Sequence, residues 1–443
     1  AVRLSPRLSL QQRGEAVPHA QAWIGFYNLR QGARVNLGQL NSAMENYRKS
    51  LAIAEELSAS GDDHKVLRLL AVAHHRVGYL LESGRFGASG GSDHFRQAQE
   101  ILERLLRQTP GDPASTSVLM TVYGHQGDAL LGQGRAFDAG ETWMKALVLA
   151  EQWSKLHPSE EAQVELGRAH RRVSRAAQLS GSLQKAMFHA RKAIAIHEPL
   201  AMTGSSSTAR QRDLLNSYER LAFVAGDPDS LNLGDRQTAA AYTAKVVAIA
   251  QALADADPKN RMASSDLVIS KRSACLFMPD DDPFVVVREC QDVVNSNDRL
   301  NRGLAEERPM VASRLVPALV KVGRGEEAIE KLRESEQLLT EALAHRPWRA
   351  DVRRRLIRHH GMFGTVLIQS GKLNEGLAHY QSAVTLGENR PAGQSQDLAL
   401  RRDLADIYLA LGRYYEPRDK VNALRWFRKD QEVWTTWPTQ KEA

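Results

Sequence analysis

The chain has 443 residues, 42% of them hydrophobic and 25% charged, with a formal net charge of +7 and a pI near 9.3. These proportions suit a soluble folded protein and exclude low-complexity, collagen-like and disulfide-dense classes, and no apolar stretch approaches the roughly 18 residues of a membrane span. The positive balance admits nucleic acid or an anionic membrane as partner, but spread along the chain it reads mainly as solvated helix faces.

Residues 1–18, with Arg3, Arg7 and Arg13, read as an irregular lead-in. The chain opens on Ala1 rather than methionine and carries no secretory signal with an apolar core, as expected of a processed product or an excised region. A phrase then recurs. A glycine ends one helical pattern, an alanine follows, then a large apolar residue one turn on and a small residue after it. Copies run Gly38, Ala43, Tyr47, Ser50; Gly134, Ala139, Trp143, Ala146; Gly181, Ala186, Ala190, Ala193; Gly323, Ala328, Leu332, Ser335; and Gly371, Gly376, Tyr380, Ala383. The anchors fall at Ala43, Ala98, Ala139, Ala186, Ala239, near Val286, and at Ala328, Gly376 and Ala423. Their spacing averages about 47 residues, which implies about nine stacked units rather than several globular domains.

Each unit reads as two antiparallel helices. In the third, apolar residues Val118, Val122, Leu130 and Leu131 predict a helix over 115–133, and Gly134 turns the chain. A second helix over 136–156 puts Phe137, Trp143, Leu147 and Ala150 on one face, and His157-Pro158 stops it. Glycine supplies the left-handed turn, alanine lets two backbones approach, and the aromatic fills the gap against the next unit. Helix is expected to exceed about 65% of the chain, far above the usual third.

The pattern resembles the tetratricopeptide repeat. The matching residues are Tyr123, Gly127, Leu130, Gly134, Ala139, Trp143 and Ala146 in the third unit, and Gly364, Leu367, Gly371, Leu373, Gly376, Tyr380 and Ala383 in the eighth. The resemblance implies an all-α, right-handed superhelical solenoid of about nine helix pairs, as one repeat domain over 19–440. It is weaker where inserts sit at the turns (87–93, 227–234 and 414–420) and poorest over 261–307, where the weakest stacking is expected. HEAT-like repeats share the length but lack the glycine-to-alanine phrase.

Cys275 and Cys290 lie on opposite arms of a helical hairpin in that degenerate unit. Two buried thiols packed as small apolar residues are the favoured reading, and a disulfide stays open. No phosphate loop, kinase signature, His-Glu-x-x-His or Cys-x-x-Cys is present. The pairs His74-His75 and His359-His360 point about 100° apart on a helix and do not chelate. Asp282 before Pro283 reads as a helix N-cap rather than a cation site. The chain is therefore expected to have no catalytic, cofactor or metal site.

What remains is surface. Arg168, Arg171 and Arg175 lie three and four residues apart, so one helix face carries them, with Arg172 beside them. Arg353, Arg354, Arg355 and Arg358 repeat this in the eighth unit, and Arg401 and Arg402 extend it into the ninth. The tetratricopeptide resemblance places first helices on the concave side. Arg168, Arg171, Arg175, Arg358 and Arg402 are thus the candidate groove residues, suited to carboxylates of an acidic protein or peptide partner. Pairing with Glu161 and Glu165 of the same helix is the simpler alternative. The carboxylate clamp of chaperone-binding relatives needs an asparagine, and the equivalent positions hold Asp128, Arg175, Thr365 and Asp406. Trp426, Phe427, Trp434 and Trp437 read as a terminal cap.

The sequence thus implies a non-catalytic protein-interaction scaffold or sensor. The phrases at 400–412 and 423–434 are similar to the repeat halves of bacterial membrane-attached Ser/Thr protein kinases, which would make this a regulatory half, in or outside the cytoplasm. A basic nucleic-acid-binding solenoid and a small-molecule-sensing array are the alternatives. Against the first, Thr121, Arg168, Asn216 and Met310 do not repeat as base readers would.

Overall fold

The computed structural model describes residues 40–59, 61–82, 90–202, 207–278, 281–300, 308–391 and 397–435. These form seventeen α-helices and no strand, and helix takes 85% of them. Helix α1 (Leu40–Ser58) stands in a second-helix position. Eight pairs follow: α2 (His64–Glu82) with α3 (Gly91–Gln108), α4 (Pro113–Gly132) with α5 (Ala136–Leu156), α6 (Glu160–Leu179) with α7 (Leu183–Ala201), and α8 (Thr208–Gly226) with α9 (Arg236–Ala256). Then come α10 (Arg261–Leu276) with α11 (Pro283–Leu300), α12 (Arg308–Lys321) with α13 (Gly325–His345), α14 (Ala350–Gln369) with α15 (Leu373–Glu388), and α16 (Leu398–Tyr415) with α17 (Lys420–Thr435). The lead-in 1–18, Gly38, residues 87–89 of the insert 87–93 and Trp437 lie outside the described residues. The array is the expected right-handed, tetratricopeptide-like solenoid.

The inter-helix glycine works as its position requires. Gly134 has φ 82°, its N–H bonds to the Leu131 carbonyl, and the next N–H, of Arg135, reaches back to the Leu130 carbonyl at 2.9 Å. This double closure satisfies the last carbonyls of α4 and reverses the chain in two residues. The opposite ends are capped by side chains: Asp112 accepts from the Ser115 N–H at 2.9 Å ahead of Pro113, and Asp282 accepts from the Phe284 N–H at 2.9 Å ahead of α11.

The phrase residues make the core. Ala139 and Trp143 are fully buried, and the indole N–H donates to the Gly124 carbonyl at 3.1 Å. A Cβ on Gly127 would collide with the indole. The ring therefore seats in a glycine notch of its own unit as well as against the next one, as expected of the packing aromatic. Ala169 and Val173 of α6 complete the same apolar cluster. Gly364 and Tyr380 repeat the notch in the eighth unit. At the end of the described chain Trp426 is buried against Tyr408, stacked at 5.9 Å, while Trp434 is half-exposed.

The unit over 261–307 keeps its helix pair although it loses the phrase. Its hairpin brings the Cα atoms of Cys275 and Cys290 within 5.2 Å, and the two form a disulfide. This corrects the favoured reading of two free thiols: the arms of the hairpin align so that the two positions face each other. Nor is this the weakest junction. Among the described residues, the thinnest contact between successive helices lies between α15 and α16.

The superhelix turns far enough to bring α14 back to α4. Trp348 and Arg349, just ahead of α14, share a cavity of about 270 Å³ with Tyr79, His125 and Asp128 of the second and third units. First helices thus enclose a concave interior.

Candidate functional site: an arginine-lined concavity

The interior holds a cavity of about 350 Å³ whose charged wall is mainly arginine. Helix α6 contributes Arg171, Arg172 and Arg175, α8 contributes Arg220, and α14 contributes Arg354, Arg355 and Arg358. Asp128, Glu219, Asp227, Asp229 and Asp403 face them. Cations therefore outnumber carboxylates in a partly enclosed space, where unscreened charge matters most.

The five candidate arginines divide into three kinds. Arg168 is taken up by structure, with ion pairs to Glu165 at 2.6 Å and to Asp213 of α8 at 2.8 Å. It ties two units together and does not line the cavity, as the simpler sequence alternative allowed. Arg171 and Arg175 line the cavity and make no hydrogen bond or ion pair among the described residues. Burial, then the neighbouring Arg172 cation, push the Arg171 guanidinium down to about 10. Arg175 keeps contact with water although protein surrounds it, and burial again lowers its pKa. Arg220 behaves alike: burial, then the Arg175 cation, bring it to about 9.

Arg358 and Arg402 are the third kind. They hold the turn between α8 and α9. Arg358 pairs with the Asp229 carboxylate and with Asp403 at 3.4 Å. Arg402 donates to the carbonyls of Ser230 at 3.1 Å and Asp229 at 3.3 Å, and Arg354 donates to the Asp229 carbonyl at 3.0 Å. The turn is locally rigid: the Asp227 side chain accepts from the Asp229 N–H at 3.0 Å, and Asn232 donates to the Asp227 carbonyl at 2.8 Å. Burial raises the Asp229 pKa and Arg358 opposes it. Part of the basic wall is thus occupied by an acidic stretch of the same chain, Asp227-Pro228-Asp229-Ser230. In sequence, 227–234 reads as an insert at the turn. Two aspartates flanking a proline in one of the longer turns were the available signal.

The histidines form a second system. Adjacent histidines do point apart, but each meets a partner from another helix. His74 and His94, His170 and His189, and His360 and His379 approach through their Nδ1 atoms at 2.9, 2.9 and 3.0 Å, and His75 meets His125 at 2.7 Å. The expected absence of a metal site follows from local spacing, which does not register partners on other helices. Among the described residues, Glu336, His360 and His379 could hold an ion.

No family model matches the chain, and no curated protein matches it. Solved structures do. A Rap protein complexed with Competence and Sporulation Factor is 14% identical, with 92% of this chain and 98% of that one covered and a TM-score of 0.52. The apo form of RapI is 10% identical, with 91% and 97% covered and a TM-score of 0.51. At such identity the likeness establishes the fold, a helical-repeat solenoid matched over nearly its whole length. No described helix is long and apolar enough to cross a membrane.

Proposed function

We propose that this chain is a non-catalytic scaffold or sensor, one repeat domain over 19–440, whose concave interior holds an acidic segment of a partner protein or peptide. The observation that carries the reading is the turn 227–230 seated on Arg354, Arg358 and Arg402. Its carbonyls and one carboxylate accept from three guanidinium groups, which is how an acidic peptide would be gripped. Arg171 and Arg175 line the same cavity, make no ion pair among the described residues, and offer sites for further carboxylates. The Rap protein of similar fold was solved with a bound factor, which supports an interior that takes a ligand.

The resemblance of 400–412 and 423–434 to kinase repeat halves supports a regulatory role beside a kinase. The Cys275–Cys290 disulfide supports placing this part in an oxidising compartment. Binding is tested with a labelled synthetic peptide copying 226–234 and its Asn-substituted version. Salt-sensitive binding of the acidic form alone supports the reading. Equal binding of both forms, or displacement by RNA but not by acidic peptide, refutes it.

A further inference from the structure

Glu336 of α13, His360 of α14 and His379 of α15 come from three successive helices and bring one ligand atom each into a triangle. Its edges are 3.0 Å between the two Nδ1 atoms, 3.5 Å from His360 Nδ1 to Glu336 Oε1, and 3.8 Å from His379 Nδ1 to the same oxygen. Ligand atoms about 2.0–2.2 Å from a tetrahedral zinc ion stand roughly 3.3–3.5 Å apart, in the middle of that range.

The chain supplies its own comparison. His74 with His94 and His170 with His189 make the same imidazole contact in the second and fourth units. The helix packed before each pair carries the phrase, and the residue after its small final position is Leu51 ahead of the first pair and Leu147 ahead of the second, both buried. Ahead of the third pair that position is Glu336. A carboxylate thus replaces a core leucine at the pair whose imidazoles it reaches.

A hydrogen-bonded histidine pair does not explain the replacement. Two Nδ1 atoms in hydrogen-bond contact at 3.0 Å hold one proton between them. Glu336 Oε1 lies 3.5 and 3.8 Å from the same two nitrogens, so three ligand atoms converge around that one proton. Glu375 also faces His379, with the Arg333 cation opposing it. Phe363 stacks on His379 with centroids 4.1 Å apart and fixes the ring plane. The Glu336 side chain is 30% and the His379 side chain 20% accessible, so an ion could enter and keep a water ligand.

We infer that Glu336, His360 and His379 form a site for one divalent transition-metal ion of the zinc class, completed by water, which clamps the seventh unit to the eighth. Borderline-soft imidazole nitrogens with one carboxylate select such ions over calcium or magnesium.

The test uses the whole chain, stripped with a chelator and titrated with Co²⁺ as a visible probe. One Co²⁺ per chain should bind with the absorption of four-coordinate cobalt, Zn²⁺ should displace it, and the thermal midpoint should rise. Glu336→Gln and His379→Gln should each weaken binding by roughly 10–100-fold or more. Glu336→Leu restores the residue type of the earlier units, so it should fold, as circular dichroism reports, and lose the ion. His170→Gln with His189→Gln should leave binding unchanged. No cobalt band in the unsubstituted chain, a band that survives Glu336→Leu, or loss of the band in the His170 and His189 variant would each overturn the assignment.

Discussion

The Arg354 guanidinium donates to the Asp229 carbonyl at 3.0 Å across a sequence separation of 125 residues. The bond joins the fifth unit to the eighth across the concave interior. It shows that the basic wall is already partly satisfied by the chain itself. Any acidic partner must work around this turn or displace it, and the two halves of the wall therefore respond differently to mutation.

Reversing charge at the unpaired half should remove binding and leave the fold. Arg171→Glu with Arg175→Glu breaks no ion pair. The expected result is an unchanged circular dichroism spectrum and at least about a tenfold loss of affinity for the acidic 226–234 peptide, about 1.4 kcal/mol. The salt dependence of binding should shrink with it. Undiminished binding would mean that these arginines are only a solvated helix surface.

Weakening the turn should act in the opposite direction. Asp229→Asn removes one of the two carboxylates that Arg358 pairs with, leaving Asp403, and so loosens the turn's hold on the basic wall. Affinity for the same peptide should rise by roughly three- to tenfold, because a competitor at high effective concentration has been weakened. A fall in affinity would show that the turn builds the site instead of occupying it.

The packing phrase makes a stability prediction. Ala139→Leu inserts three carbons where the residue is fully buried beside the Trp143 ring, and should destabilise by about 1–3 kcal/mol. Ala136→Leu, at a half-buried position three residues earlier, should change little. Urea unfolding of both variants decides, and equal effects would mean the register is misread.

The disulfide closes a short loop, with 15 residues of sequence separation. Cys275→Ala with Cys290→Ala should cost up to about 3 kcal/mol, chiefly by freeing the unfolded chain. Thiol titration of the unfolded, unreduced protein should find no free cysteine. Two reactive thiols there would remove the bridge and the argument for an oxidising compartment.

Stability should also fall with acid. Burial lowers His74, His125, His170, His359 and His360 to about 4, from an ordinary value near 6.5. These rings stay neutral in the fold while the unfolded chain takes up protons first. Their contribution is therefore complete above about pH 6.5 and is lost as pH falls from there towards 4. Urea midpoints measured at about pH 7.5, 6 and 5 should decline in that order, and His170→Gln should flatten the slope. A flat profile would contradict the burial of these rings.

Local sequence determined the array. Gly134, Ala139 and Trp143 could be read as turn, close approach and filler because each acts within a few residues or one helical turn, where periodicity reports directly. The same local logic found the N-cap at Asp282 and the shared face of Arg171 and Arg175. Tertiary structure decided everything that depends on how units meet. The Cys275–Cys290 bridge follows from hairpin register, which no spacing rule supplied. Arg168 left the groove because Asp213 in the next unit took it, and Arg358 and Arg402 were met by a turn more than a hundred residues earlier in the chain. Glu336 found two histidines only because three helices pack in sequence. A repeat fixes which face a residue occupies, but the superhelical turn, a sum of small rotations from unit to unit, fixes what that face meets.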